Sequence, residues 1–520
     1  MHCTIQNGGL HMKLNYKRTI LVGFAFFLIS AFWQAYDATI PVILTNKFGM
    51  SQTWSGVIMA LDNILAVFML PIFGALSDKC LGNRFGKRTP FITIGTTIAA
   101  IVLVSLSFVD AAQLKNISDV AVIDDPAALE VIYDTQCDKQ LQTPEGDAFI
   151  LSEAFTKEQF VAIRSDDGSA KYTNFVAPAR QAYAADRTKE NVTPLVLFVS
   201  LLLIVLVAMS IFRSPAVALM PDVTVKPLRS KANAVINLMG TAGGILVLVL
   251  GMVFATSAVK NQLMNYTVYY CVIGGIMLGA LVVFLLTVRE KAWSSQMQQD
   301  SIALGIEEAE EENSEKRKLK PAEVRSLVFI LASIALWYFG YNAVTSKYAV
   351  YAGNILNMDY NTTLLLAQGA AIVAYLPAGM VASKIGRKKT ILVGVVMLTA
   401  AFGAAAFMRA GSSVLLMNVL FALAGIGWAT INVNSFPMVV ELCSGGDIGK
   451  YTGFYYTASM SAQIVTPMLS GYLMDQMGMT VLFPYSAVFV ALAFITMILV
   501  KHGDAKVMAK KGLEALDIDD

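Results

Sequence analysis

Long apolar runs alternate with short polar breaks along the whole chain. Each run holds about 20 residues, which as a helix is long enough to cross the hydrocarbon core of a bilayer. Because only 15% of the residues are charged and 56% are hydrophobic, the chain has too little charge to cover a soluble protein of this length. We therefore predict an all-α membrane protein with twelve transmembrane helices in two six-helix halves, at residues 19–45, 52–77, 90–109, 194–220, 232–256, 266–287, 325–352, 361–382, 390–408, 413–440, 451–475 and 480–500.

The positions of the basic residues predict how these helices are oriented. If both chain ends lie in the cytoplasm, the inside loops and tails carry 26 of the 39 Lys and Arg residues. The short outside loops then carry only Lys47, Lys260 and Arg409. Basic residues favour the cytoplasmic side of short loops. We therefore predict a multi-pass protein of the cell membrane with both termini in the cytoplasm.

Two polar segments interrupt the series of spans. Residues 110–193 form an extracytoplasmic insert with 15 acidic and 8 basic residues, which could be a small folded cap or a partly ordered polar loop. Residues 288–324 form a charged cytoplasmic linker with a helix-prone composition. The predicted order is helices 1–3 in residues 1–109, the insert, helices 4–6 in residues 194–287, the linker, helices 7–12 in residues 325–500, and a cytoplasmic tail at 501–520.

A short motif that follows the second span occurs again after the eighth. The sequence PIFG at 71–74 and RFGKRT at 84–89 match PAG at 377–379 and KIGRKKT at 384–390. One such match can arise by chance, so the register of the neighbouring residues matters.

The same register extends towards the beginning of each half. WQAYDA at 33–38 resembles WYFGYNA at 337–343, and Asp62 corresponds to Gln368. Repeated halves of this kind are typical of transporters that rock two bundles around a central site.

The loop motif also resembles a known family. The pattern PxxGxxSD at 71–78, followed by RFGKRxPFI at 84–92, resembles the major facilitator superfamily, and within it the sucrose–proton symporters and the glycoside–pentoside–hexuronide:cation symporters. PAVALMPD at 215–222 and RSKAN at 229–233 resemble their fourth-to-fifth-span signature, and Gln463 falls where sucrose symporters often carry Gln. The resemblance implies a major facilitator fold and cation-coupled transport of a sugar or glycoside.

The resemblance leaves out the insert and departs at one position in the fourth span. Those symporters tend to carry Arg where this chain has Val217. Arg213 lies four residues earlier on the same helical face, so it could supply the same positive charge one turn away.

Four ionisable residues lie well within the predicted spans, where charges usually line a pathway or form pairs. We predict that Asp62 and Asp37, with Asn63 beside Asp62, bind the coupling cation, H⁺ or Na⁺. The alternatives are a fixed ion pair between Asp62 and Arg213, and simple helix packing for Asp37. For Lys347 we expect that the side chain snorkels to the outer interface.

The substrate site is predicted from side chains that suit a sugar. Asp37 shares a helical face with a tryptophan and a glutamine, which offer an aromatic surface and hydrogen bonds. In the second half the corresponding candidates are uncharged, although a single amide more often bonds a neighbouring helix than a ligand. The predicted substrate-binding residues are Trp33, Gln34, Asp37, Arg213, Tyr341, Asn342, Gln368, Trp428, Asn432 and Gln463.

The loop after the second span is predicted to act in gating. Asp78 would face the unfavourable C-terminal end of its helix dipole, so it needs a partner. We predict Arg84, Arg88 or the N-terminus of a neighbouring helix such as span 11, which together would form a latch. The gating residues are Gly74, Asp78, Arg84, Gly86, Lys87 and Arg88.

These features predict a secondary active transporter, a cation-coupled symporter of a sugar or glycoside that works by alternating access. The chain lacks a nucleotide-binding P-loop and any catalytic constellation, so we expect neither a pump nor an enzyme. Two alternatives remain open: transport of another polar metabolite such as an organic anion, and a substrate sensor that does not transport. We expect no cofactor, no metal site and no nucleic acid partner, and a monomer embedded in the lipid bilayer.

Overall fold

The structure is a computed structural model that describes residues 4–6, 9–11, 14–80, 82, 84–166, 170–225, 228–303, 320–440, 442 and 448–503. The chain begins with a hairpin and three long helices: β1 (Thr4–Gln6), β2 (Gly9–His11), α1 (Tyr16–Asn46), α2 (Gln52–Lys79) and α3 (Thr89–Asn116). The insert follows, with α4 (Pro126–Gln136), β3 (Gln140–Gln142), β4 (Ala148–Ile150), α5 (Leu151–Ala154), α6 (Lys157–Val161) and α7 (Ala177–Glu190). The next four helices are α8 (Thr193–Val223), α9 (Arg229–Val253), α10 (Thr267–Thr287) and α11 (Glu290–Ala303). The last six are α12 (Pro321–Tyr351), α13 (Tyr360–Ile385), α14 (Arg387–Ala405), α15 (Val414–Val440), α16 (Ile448–Met477) and α17 (Leu482–Ile498).

Each of the twelve predicted spans coincides with one long helix, which confirms the all-α class. The clearest difference in length is at α3, which continues to Asn116 although the predicted span ends at residue 109. Within the described residues, ten of these helices are long and apolar enough to cross a membrane. The other two, α13 and α16, are 26 and 30 residues long. The predicted linker contains α11, whereas residues 304–319, which include most of its charged stretch, and the tail after residue 503 lie outside the described residues.

Two separate hydrophobic cores divide the membrane domain into halves. One core joins apolar side chains of α1, α2, α3, α8, α9 and α10, and the other joins those of α12 to α17 together with Ala38 and Val42 of α1. The halves meet mainly where α2 packs on α16, where α9 packs on α13, and where α1 packs on α12. Residues from α1, α2, α9, α12, α13 and α16 therefore face the boundary between the two halves.

Prolines lie inside several of the helices at this boundary. Pro41 lies in α1, Pro71 in α2, Pro377 in α13 and Pro467 in α16. Proline removes one intrahelical hydrogen bond, and membrane helices tolerate this loss where neighbouring groups satisfy the freed carbonyl. These helices therefore have built-in points at which they can bend.

The described residues between 117 and 192 form the insert domain, a folded unit with its own core. Its buried side chains include Leu129, Ile132 and Phe160. Phe155 packs edge-on against Phe175, with ring centres 4.9 Å apart. Of the two predicted alternatives for this segment, the structure shows the folded cap.

The two ends of the membrane domain are packed differently. We call the end that carries the insert domain the insert end, and the opposite end, where α1 begins, the terminal end. In α2, the residues up to Ala60 are largely buried, whereas most of those from Val67 onwards are exposed, including Phe68 at 65%. The described hydrogen bonds between the halves lie at the insert end or near the middle. Among the described residues, polar contacts therefore join the halves at the insert end and near the middle, and α2 is more exposed towards the terminal end.

Candidate functional site

Three ionisable side chains of the first half come together near the middle of the membrane domain. Asp37 lies on α1, Asp62 on α2 and Arg213 on α8, and all three are partly buried. Asp62 interacts electrostatically with Asp37 and with Arg213. Asn63 donates a hydrogen bond of 2.7 Å to Asp62 Oδ1. The ion pairs within 4 Å among the described residues do not join Asp62 to Arg213, so the structure does not show the fixed pair considered above.

Two aromatic residues of α1 pack beside these charges. The Arg213 guanidinium lies 5.8 Å from the centre of the Trp33 ring, which contacts Tyr36 edge-on at 5.3 Å. Trp33 Nε1, the Tyr36 hydroxyl and, in the other half, Asn342 Nδ2 are buried without a hydrogen-bond partner among the described residues. Because buried polar groups are normally bonded, these three atoms indicate where a ligand or water supplies the missing partners.

The second half presents an aromatic surface to the same region. Tyr341 and Trp428 stack with their ring centres 3.7 Å apart and their planes 4° from parallel, and Tyr338 contacts Trp428 edge-on at 5.2 Å. Tyr341 also interacts electrostatically with Asp37 across the boundary. Charged residues of one half thus face aromatic residues of the other.

Amide side chains join the halves and extend this surface. Gln368 of α13 donates a hydrogen bond of 2.6 Å to Gln34 Oε1 of α1, so these two predicted residues bond each other directly. Asn432 interacts with the side chain of Tyr375. Gln463 lies partly buried on α16, and the described contacts do not connect it to the other candidates.

Tyr36 was not predicted as a site residue from the sequence, although its position beside Asp37 could have indicated it. Nor were Tyr375 and Tyr456, which lie in a chain rich in tyrosine and carry no distinguishing motif. Tyr456 of α16 interacts electrostatically with Arg213 of the first half. Within the described ranges, no group of three or more His, Cys, Asp and Glu side chains is arranged to hold a metal ion.

A carboxylate closes the insert end between α2 and α16. Asp475 accepts hydrogen bonds from the backbone nitrogens of Gln52 at 2.8 Å and Thr53 at 2.7 Å, so it caps the N-terminus of α2 from the other half. The two helices approach closely here, because a Cβ atom on Gly56 would lie 2.0 Å from the carbonyl oxygen of Pro467. A larger residue at position 56 would therefore separate the halves.

Lys347 belongs to this closure, and the prediction that it snorkels to the interface is wrong. Its side chain is fully buried, and its ammonium group donates a hydrogen bond of 2.7 Å to the carbonyl oxygen of Gln52. It also interacts electrostatically with Asp475. The ammonium therefore lies between the two halves, where the backbone and a carboxylate compensate its charge.

A second polar contact closes the insert end between α9 and α13. The hydroxyl of Thr256, just after α9, bonds Tyr360 at 2.9 Å and accepts from Asn361 Nδ2 at 3.1 Å. Ser257 donates to Asp359, the N-terminal cap of α13, at 2.5 Å. Polar contacts between α2 and α16 and between α9 and α13 thus hold this end closed.

At the terminal end, Asp78 pairs with Arg88, one of the partners predicted for it. Arg88 also donates to Ser77 and, at 2.8 Å, to Asp222 at the end of α8. Burial lowers the pKa of the Arg88 guanidinium, but the hydrogen bonds to Asp222 and Asp78 outweigh it, so the pKa lies above its ordinary value. Arg88 therefore joins the ends of α2, α3 and α8 within the first half.

The other predicted gating residues surround this pair. Lys87 Nζ lies 3.4 Å from Asp222, and the guanidinium of Arg84 lies 4.7 Å from the Phe85 ring centre. A Cβ atom on Gly74 would lie 2.9 Å from Ser214 Oγ, so the small residue lets α2 approach α8.

Glu290 contacts the loop that the sequence predicts to act in gating, and the sequence did not reveal this partner. It begins α11, is 2% exposed, and accepts hydrogen bonds from the backbone nitrogens of Lys87, Arg88 and Thr89 at 2.7, 2.8 and 2.7 Å. Gly86 has a φ of +130°, and a Cβ atom there would lie 2.2 Å from the Glu290 carboxyl carbon. Gly86 is therefore needed so that the carboxylate can reach the N-terminus of α3.

A model of the family described as Major Facilitator Superfamily matches residues 182–374 and 363–515, which is more than half of the chain. Among curated proteins, the MFS-type transporter ppzB of Metarhizium rileyi is 28% identical over 137 residues, covering 26% of this chain and 28% of that protein. The ppzB protein of Metarhizium majus is 30% identical over 124 residues, covering 24% and 26%. The match therefore spans less than a third of the length of these relatives.

Several solved structures share the fold over nearly the whole chain. A bacterial homologue of the human lysosomal transporter Spinster, in an inward-facing and occupied conformation, aligns with a TM-score of 0.59 and 12% identity over 94% of this chain and 97% of that chain. A D-xylose-proton symporter aligns with a TM-score of 0.57 and 16% identity over 94% and 99%. The nucleoside transporter NupG aligns with a TM-score of 0.52 and 14% identity over 94% and 100%. At these identities the likeness concerns the fold alone.

Proposed function

Because the chain belongs to the Major Facilitator Superfamily, we propose that this transporter moves a sugar or glycoside together with H⁺ or Na⁺ by alternating access. The observation that carries the proposal is the cluster of Asp37, Asp62 and Arg213 at mid-membrane, opposite the stacked Tyr341 and Trp428. A charged face and an aromatic face meet there at the boundary of the two halves.

The two carboxylates are the proposed cation site. An uncompensated negative charge is costly inside the membrane, and a bound proton or sodium ion neutralises it. Asp62 has both Asp37 and Arg213 as electrostatic neighbours, so binding of a cation changes the balance of charge on the face that contacts the substrate. This links cation binding to substrate binding.

The aromatic face is the proposed sugar site. The Trp428 ring offers an apolar surface to the C–H side of a sugar ring, while the free donors of Trp33, Tyr36 and Asn342 offer hydrogen bonds to its oxygens. The D-xylose-proton symporter among the proteins of similar fold supports this choice. Gln34 and Gln368, which bond each other, become available to a ligand when the halves separate.

We further propose that the terminal end faces the cytoplasm of a cell and that the protein works as a monomer in the cell membrane. The excess of basic residues in the loops of that end supports this orientation. The insert end, where polar contacts join the two halves, then faces away from the cytoplasm. Asp78, Arg88 and their neighbours act as a latch that rearranges when this end closes.

Uptake into liposomes tests the proposal. Purified protein is reconstituted and assayed with a panel of labelled mono- and disaccharides, β-glycosides and organic acids, with an inward proton gradient, an inward sodium gradient, or neither. Sugar or glycoside accumulation that requires one of the gradients supports the proposal. The control is the Glu153→Gln variant, which removes an exposed carboxylate of the insert domain and should transport like the native protein.

One observation favours a second candidate, the transport of an organic anion. Arg213 has no carboxylate partner within 4 Å among the described residues, so its charge is available to a substrate carboxylate. The same panel separates the two candidates. Uptake of organic acids that Arg213→Gln abolishes would support the second candidate, whereas uptake of neutral sugars would support the first. Binding of a panel compound without any exchange across the membrane would instead indicate a sensor.

A further inference from the structure

The insert domain is attached to the first half through α7. Gln181 Nε2 donates a hydrogen bond of 2.9 Å to Asn46 Oδ1 at the end of α1. The chain after α1 runs against the same helix so closely that a Cβ atom on Gly49 would lie 2.3 Å from the backbone nitrogen of Ala185. Leu263, from the loop between α9 and α10, belongs to the core of the insert domain. The domain therefore moves with the first half.

The tip of one hairpin in this domain reaches the second half. Strands β3 and β4 pair antiparallel, and residues 143–147 form the turn between them. The carbonyl oxygen of Pro144 accepts a hydrogen bond of 2.6 Å from the backbone nitrogen of Met479, and the Glu145 carboxylate lies 3.5 Å from Arg409 Nε. We call residues 143–147 the hairpin tip.

Glycine on the second half allows the tip to dock. Gly478 has a φ of +87° in the turn between α16 and α17, and a Cβ atom there would lie 2.2 Å from the carbonyl oxygen of Glu145. Any side chain at this position would push the tip away. At Gly478 the tip contacts the second half through backbone atoms, which makes this part of the contact sensitive to small displacements.

The docked turn is the end of the helix that closes the transporter. Gly478 directly follows α16, and Asp475 near the end of α16 caps α2 of the first half. For the insert end to open, α16 must move away from α2, and the turn at Gly478 must then leave a domain that is fixed to the first half. Residues 172–176 of the insert domain also lie beside residues 352–356 of the second half, and this contact must separate too.

We propose that the hairpin tip is a strap that holds the insert end closed and so sets the balance between the two open states. Opening of this end breaks the bond from Met479 to Pro144 and the ion pair from Arg409 to Glu145. This inference requires only two halves that alternate. It does not depend on the substrate or the cation.

Distance measurements between the halves test the strap. Spin labels are placed at Val196→Cys on α8 and Leu415→Cys on α15, both exposed at the insert end, after the five native cysteines are replaced. Distances are measured by double electron–electron resonance in nanodiscs without substrate. In the Gly478→Val variant the added side chain prevents the hairpin tip from docking. The ratio of open to closed protein should then rise about tenfold, because one hydrogen bond and one exposed ion pair are lost.

The chain provides a matched control for backbone strain. Gly411 also has a positive φ, of +81°, in a loop of the same half, but a Cβ atom there would meet nothing within 4 Å. Gly411→Val should therefore leave the distance distribution unchanged. If Gly478→Val also leaves it unchanged, or if both variants open the insert end equally, the strap is refuted.

A charge reversal provides a second test that does not depend on glycine. Glu145→Arg places two cations together and should raise the open population a few-fold, the scale of an exposed ion pair. The double variant Glu145→Arg with Arg409→Glu restores opposite charges and should return the distribution to that of the native protein. A double variant that stays as open as Glu145→Arg would contradict the strap.

Discussion

Changing Asp475 to Asn should weaken the closure of the insert end. The carboxylate accepts hydrogen bonds from the backbone nitrogens of Gln52 and Thr53 and, at 2.5 Å, from the Thr53 hydroxyl. Its negative charge also stabilises the N-terminal end of the α2 dipole. Asn keeps the shape and one acceptor oxygen but loses the charge, and its amide hydrogens then face other donors.

The size of the effect follows from these contacts. A hydrogen bond to a charged acceptor contributes roughly 1.5–3 kcal/mol. When the halves separate, water bonds these groups instead, so only part of the summed energy of the bonds favours the closed state. We therefore expect a net loss of about 1.5–3 kcal/mol for the whole group. Since about 1.4 kcal/mol corresponds to a factor of ten, the ratio of open to closed insert end should rise about 10- to 100-fold.

Spin labels at positions 196 and 415 measure this ratio directly. The native protein should show mainly one short distance, and Asp475→Asn should add a clear population at a longer distance. The Glu153→Gln variant controls for the loss of an acidic group at this end, because Glu153 is exposed on the insert domain. An Asp475→Asn distribution identical to that of the control would refute the reasoning that this carboxylate holds the two halves together.

Three further predictions concern stability. Glu290→Gln removes the charge and one of the two acceptor oxygens that cap the backbone nitrogens of residues 87–89, so it should lower the free energy of unfolding in detergent by about 2 kcal/mol. An unchanged value would contradict the capping role. Arg88→Lys keeps the charge but loses the branched guanidinium that bonds both Asp78 and Asp222, so the midpoint of chemical unfolding should lie at a lower denaturant concentration. Equal midpoints would show that the branched contact is unimportant. Burial raises the pKa of Asp186, but hydrogen bonds from Lys139 and Gln136 outweigh it and hold the pKa below its ordinary value. The bonded carboxylate therefore stabilises the insert domain above about pH 4, and this stabilisation is lost as the pH falls further. Hydrogen exchange of residues 117–192 should therefore depend less on acid pH in Asp186→Asn than in the native chain.

The membrane helices could be predicted because the length of an apolar run is enough to identify a membrane-spanning helix. The end of α3 could not, because its last turns are polar and buried by a distant partner. Lys47 and Asp110 form an ion pair of 2.7 Å in which both side chains are fully buried. The sequence assigned one of them to a short outside loop and the other to the insert. A pair that far apart in the chain leaves no periodic signal.

The same limit applies to the residues around the site. Asp37, Asp62 and Arg213 were found because charges are rare in apolar runs, and the structure brings them together. Lys347 was assigned to the wrong environment, because its bond partner Gln52 lies in the other half of the chain. Glu290 lies in an ordinary charged linker, and only the folded chain brings it to the N-terminus of α3.

If Asp62 couples a cation gradient to transport, the Asp62→Asn variant should separate gradient-driven accumulation from exchange. Asp62→Asn and the native protein are reconstituted side by side with the substrate that the uptake panel identifies. Two rates are measured, accumulation driven by the proton or sodium gradient and exchange of labelled for unlabelled substrate without a gradient. We expect Asp62→Asn to lose gradient-driven accumulation and to keep exchange. Accumulation by Asp62→Asn at the native rate would contradict this expectation.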